Sequence, residues 1–151
     1  MDTQLIEVLG RNQLTDELLR AGLEVARPVR DRGIDLIAYA DLETKVESFV
    51  ARPIQMKAAS KRSFSLNQKY AKFPNLLIAY VWHLALPDDV TTFALAYNEA
   101  FGVAEKMGWT TTPSWQSGSY SNTRPGKRLR ELLEPFRMTP ERWWERITTN
   151  V

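Results

Sequence analysis

Leu76-Leu77-Ile78-Ala79-Tyr80-Val81-Trp82 is a nearly continuous apolar run that follows the turn-forming pair Pro74-Asn75. A short run with no polar alternation, bounded by a turn signal, fits a strand buried on both faces. Such a strand belongs at the centre of a sheet, with helices packed around it. The whole apolar stretch, 76–86, has eleven residues and includes His83, too few to span a bilayer as a helix.

The flanking patterns fill in the layers. Residues 4–21 carry apolar side chains at Leu5, Ile6, Leu9, Leu14, Leu18 and Leu19, close to a helical period, and Gly22 can close that helix. Residues 23–29 alternate until Pro28 and read as a short strand. Residues 33–40 and 48–57 read as two further strands, an antiparallel hairpin joined by the polar segment 41–47, with Pro53 marking an edge or a bulge. A short helix is expected over 65–73, a strand over 91–97 and a helix over 99–107 ended by Gly108. Residues 109–126 are rich in Ser, Thr, Gly and Pro yet hold Trp109, Trp115 and Tyr120, which ordinary linkers rarely do. Helices follow over 127–136 and 140–147, the second with Thr139 as N-cap and Pro140 at its first position. The expectation is a mixed α/β core over 1–108, with an aromatic-rich loop and short helices, 109–151, packed on the same domain.

At 151 residues the chain has room for one domain with a sizeable core. With 44% hydrophobic and 25% charged residues, wholesale disorder is excluded. The absence of cysteine excludes disulfides, thiolate zinc sites and cysteine nucleophiles. The first residues lack the basic and apolar regions of a secretory signal, so a cytoplasmic protein without membrane association is expected. Charge is polarised: residues 1–50 carry a net −4 and residues 51–151 a net +6. A carboxylate-rich first third beside a basic remainder suits a metal site next to a phosphate-binding surface, and equally suits an ordinary solvated surface.

Strand alternation puts Asp35, Ile37 and Tyr39 on one face, and Gln55 and Lys57 together on one face of the next strand. A hairpin folded about residues 45 and 46 sets Asp35 across from residue 56 or 57, so that a carboxylate, an amide oxygen and an ammonium meet at one end. That grouping suits metal-assisted phosphodiester cleavage, with hard oxygens for Mg²⁺ or Mn²⁺ and a lysine for the nucleophile. The same residues also fit a turn cap after Gly33 and the wet face of a strand. No Gly-x-Ser-x-Gly sequence or Gly-rich phosphate loop offers a competing chemistry.

The order helix, strand, Gly33-Ile34-Asp35-Leu36-Ile37, hairpin, Pro53-Ile54-Gln55-Met56-Lys57, helix, apolar strand resembles the PD-(D/E)xK nuclease superfamily of restriction, homing and Holliday-junction-resolving endonucleases, over roughly residues 3–97. The resemblance implies a restriction-endonuclease-like αβββαβ core with a mixed sheet, to which this chain adds a C-terminal helical extension. By motif Asp35 matches the first acid and Lys57 the lysine, while Gln55 stands where the second acid usually is. The family often adds a glutamate from the first helix. Glu7 is the best match, with Asp16 and Glu17 further along as surface charges or as the true ligand. The implied activity is a metal-dependent DNA endonuclease with catalytic Asp35, Gln55, Lys57 and Glu7, of which Glu7, Asp35 and Gln55 bind Mg²⁺ or Mn²⁺. The alternative is an inactive nuclease-fold module that binds nucleic acid or a protein partner.

Beyond the lysine, Lys61 and Arg62 stand where a phosphate backbone would run, as do Arg124, Lys127 and Arg128 in the extension; a solvated loop is the other reading. Trp115, Tyr120, Trp143 and Trp144 fit core or dimer packing better than base stacking. The lone His83 reads as structural. Cutting both strands of DNA with so small a unit would take two copies, hence a homodimer.

Overall fold

The computed structural model describes residues 1–43 and 46–149. Its first element is α1 (Thr3–Arg20), capped by Asp2, whose Oδ1 accepts the Leu5 N–H at 2.8 Å. Three strands follow, β1 (Glu24–Ala26), β2 (Leu36–Tyr39) and β3 (Ala51–Ala58); then β4 (Phe64–Asn67), β5 (Leu77–Trp82) and β6 (Thr91–Ala96). After α2 (Tyr97–Lys106) come α3 (Pro113–Gln116), β7 (Ser119–Asn122), α4 (Lys127–Leu133) and α5 (Pro140–Thr148). The main sheet has the order β1-β2-β3-β5-β6; β3 and β5 are parallel and the other pairs antiparallel. This is the expected α/β fold with a mixed sheet and C-terminal helices.

All six residues of β5 are buried. Leu77, Ala79 and Val81 face α1 and α5, where Leu14, Leu18, Trp143 and Ile147 complete one core layer. Ile78, Tyr80 and Trp82 face the opposite way, against α2 and α4 through Ala100, Val103, Leu129 and Leu133. The C-terminal segment is therefore part of both layers. Its aromatics fill space: Trp109 stacks on Tyr120 with centroids 4.4 Å apart, Trp115 is buried, and Trp143 is only 1% exposed.

Local differences from the sequence pattern have tertiary causes. The helix expected over 65–73 is instead β4 followed by one 3-10 turn, Gln68–Lys72. Phe64 and Leu66 alternate into the core, and β4 pairs with β7 with Leu66 opposite Tyr120, a partner far along the chain. β1 stops two residues before Pro28. Of the two residues expected at the centre of the hairpin, 45 and 46, residue 45 lies outside the described residues.

Gly10 brings α1 down onto β3. A Cβ at that position would lie 2.8 Å from the Ala58 Cβ and 2.9 Å from the Met56 Sδ, so no larger residue allows this approach without displacement.

Candidate metal and phosphate site

The site is built where β3 changes partners. Residues 51–54 of β3 pair with β2, and residues 54–58 pair with β5. Pro53 falls before the parallel ladder starts at Ile54, so its missing N–H interrupts no ladder bond with β5. The register sets Leu36 opposite Ile54 and Ile37 opposite Pro53. It corrects the expected pairing: the ladder ends at Leu36 opposite Ile54, and the Asp35 N–H also donates to the Ile54 carbonyl, so Asp35 lies across from Ile54 and not from residue 56 or 57.

At this fork the Met56 N–H has no β2 carbonyl to meet, and the Asp35 side chain takes that role. Asp35 Oδ2 accepts the Met56 N–H at 2.7 Å, while the Asp35 N–H donates to the Ile54 carbonyl at 2.9 Å. The carboxylate is thus fixed in a buried position, 8% exposed. Glu7 of α1 and Asp31 of the loop before β2 converge on it, each offering an oxygen within 4.8 Å of the others. Burial pushes the Asp35 carboxyl above its ordinary range, and the like charges of Asp31 and Glu7 add to this; the Met56 N–H and Arg11 oppose it.

Lys57 lies on the same strand, two residues past Gln55. Burial and then Lys69 depress its ammonium pKa, and Asp35 opposes that shift. Its Nζ stands 5.9 Å from the centroid of the Tyr70 ring. A cleft of about 260 Å³ is lined by Glu7 and Lys57 together with Thr3, Met56, Ser63 and Ser65. Gln55 Oε1 is buried with no hydrogen-bond partner, while the amide nitrogen makes only a 3.5 Å contact to the Met56 carbonyl.

Asp35, Glu7 and Lys57 are therefore gathered at one fork, with Gln55 on the adjoining strand position. Sequence reasoning missed Asp31. It lies outside any periodic element and its only signal is its spacing four residues before Asp35, bridged by a loop that turns at Gly33 with φ +99°. The other helix acids do different work. Glu17 accepts from Thr92 Oγ1 at 2.7 Å, Gln13 Nε2 at 2.9 Å and Trp143 Nε1 at 3.0 Å, tying α1 to β6 and α5. Asp16 pairs with Arg20 on the surface at 2.8 Å.

The basic candidates are dispersed. Lys61 is exposed, whereas Arg62 turns to His83, with Nε 3.4 Å from the imidazole Nε2, and lines a different cleft with Asp88, Asp89 and Arg137. Burial and then Arg62 hold the His83 imidazole below its ordinary pKa. Arg124 follows β7 two residues beyond Asn122, the partner of Phe64, and is exposed. Lys127 pairs with Glu131 at 3.7 Å, and Arg128 donates to the Lys106 carbonyl at 3.0 Å.

The three gathered side chains fit a hard divalent cation, since all are carboxylates and none is a soft ligand. Gln55 is neutral, and the third carboxylate of the cluster is Asp31, from the loop before β2. Among the described residues no helix is long and apolar enough to cross a membrane. No family model, curated protein or solved structure matches the chain.

Proposed function

We propose that this chain is a Mg²⁺- or Mn²⁺-dependent DNA endonuclease of the PD-(D/E)xK type, using Asp35, Glu7, Asp31, Gln55 and Lys57. The observation that carries this reading is the convergence of three carboxylates, one from α1 and two from the loop before β2, on one fork beside a half-buried lysine. Mutual repulsion at that spacing costs stability, and a bound cation removes the cost. Glu7, Asp31 and Asp35 would hold the ion, and Gln55 would add a neutral oxygen. The ion supplies Lewis acidity toward a phosphoryl oxygen and lowers the pKa of a water. Lys57 donates hydrogen bonds to the attacking water and to the charge that develops on the phosphate. Met56 holds Asp35 still through its backbone N–H. Lys61 and Arg124, both exposed, would follow the DNA backbone, and two copies of the chain would reach both strands.

Incubating supercoiled plasmid with the protein and Mg²⁺ or Mn²⁺ tests the reading. Nicked or linear product is expected from the native chain, and none from Asp35→Ala or Lys57→Ala. Cleavage that survives both substitutions would assign the activity elsewhere. Salt-sensitive DNA binding with no metal-dependent product would favour a non-catalytic binding module.

A further inference from the structure

A second cleft opens beside the acidic cluster. Its volume is about 380 Å³, and Ile34, Pro53, Leu76 and the Tyr70 ring form its apolar lining. Phe73 stands among them with 50% of its surface exposed, so part of its ring is open to a ligand in the cleft. The cations Arg32, Lys69 and Lys72 are all exposed around this lining, and no acidic side chain lines the cleft among the described residues. Lys72 Nζ lies 5.8 Å from the Phe73 centroid, and Lys69 Nζ lies 5.2 Å from that of Tyr70.

This cleft is continuous with the candidate site along the chain. Arg32, Gly33 and Ile34 are the residues between Asp31 and Asp35, and the Tyr70 ring that lines the cleft is the one approached by Lys57. A ligand that fits must offer a flat apolar surface of small size and negative charge within a few ångströms of it. An unpaired nucleobase with its flanking phosphates has both, and stacking on an exposed aromatic is how proteins hold such bases. A base inside a duplex presents neither of its faces.

We infer that the Phe73 cleft receives an unpaired base next to the scissile phosphate, so that the preferred substrate is single-stranded or locally unpaired DNA. The position beside a cleaved phosphate rests on the endonuclease reading, whereas base binding in the cleft is testable without turnover. The cations grip the phosphates on either side, and Phe73 supplies the stacking surface, with the buried Tyr70 forming the floor of the cleft. Because the cleft reads a π-face, little base selectivity follows from it.

The test is equilibrium binding, by fluorescence anisotropy in Ca²⁺, of a labelled single strand and of a blunt duplex of the same length. Native protein is expected to favour the single strand by about five-fold or more, the scale of one base–aromatic stack. Phe73→Ala should bring the ratio close to one, and Phe73→Trp should restore it. Circular dichroism of each variant checks that the half-exposed position leaves the fold intact. A native ratio near one, or a ratio that Phe73→Ala leaves unchanged, overturns the inference. Plasmid nicking in Mg²⁺ is scored separately: a preference for single strands without any nicking sinks the endonuclease reading and keeps the cleft. Nicking without the preference does the reverse.

Discussion

The Asp35 carboxylate accepts the backbone N–H of Met56 at 2.7 Å. This bond ties the first acid to the residue between Gln55 and Lys57, so the relative placement of acid and lysine is held by a direct bond across the fork. Register alone would leave it looser.

The electrostatics of Asp35 can be read as stability. Its carboxyl is raised by burial, and further by Asp31 and Glu7. A group with a folded pKa above its unfolded one takes up a proton on folding, so its charged form costs stability above the folded pKa, and the cost disappears as pH falls below the unfolded value. Asp35→Asn should therefore raise the melting temperature at pH 7 without divalent ions, by about 2 °C for a chain of this size. The same substitution should abolish the further rise that Mn²⁺ gives the native chain. Thermal scans with and without Mn²⁺ measure both.

Glu7 and Glu17 should separate cleanly. Glu17 serves the Thr92 hydroxyl and the Trp143 indole N–H, both on buried residues. Removing it leaves two donors unsatisfied, and Glu17→Ala should cost about 2–4 kcal/mol in denaturant unfolding. Glu7→Gln should leave the unfolding midpoint unchanged or raised, and remove metal-dependent nicking.

Gly10→Ala sets helix propensity against packing. Alanine favours a helix interior by about 1 kcal/mol, but its Cβ would press on Ala58 and on the Met56 Sδ. Overpacking of this kind costs about 1–3 kcal/mol, so a net loss is expected in urea unfolding. Because Glu7 lies one turn away on the same helix, the variant should also lose nicking activity under conditions where it remains folded.

Lys57 is disfavoured as a cation by burial and by Lys69. Its lowered pKa costs stability below that value, and the cost fades as pH rises through the unfolded pKa. Lys57→Met should leave the melting temperature at pH 7 unchanged or higher, while slowing nicking by about 100-fold or more, the scale of losing one preorganised donor. A rate within a few-fold of native would remove Lys57 from the chemistry.

The buried central strand and the first helix, α1, were legible because each rests on local periodicity; the register that set Asp35 across from residue 56 or 57 hung on the centre of the hairpin and was corrected. The pairing of Phe64–Asn67 with Ser119–Asn122 was not, since its alternation is only four residues long and its partner is remote. Pro53 suggested a disturbed register, yet it lies where β3 has no β5 partner to lose. Asp31 had no pattern to betray it; only the turn at Gly33 carries it back over the strand ends. The aromatic extension read correctly as packing material, because Trp143 and Ile147 share a helical face and that face is buried.

Calorimetric titration of Mn²⁺ into the native chain, Asp35→Asn, Asp31→Asn and Glu7→Gln tests the shared ion site most directly. The expected result is saturable binding by the native chain, weakened in Asp31→Asn and Glu7→Gln and lost in Asp35→Asn. Identical heats across all four proteins, or no heat from the native chain at millimolar Mn²⁺, would contradict it.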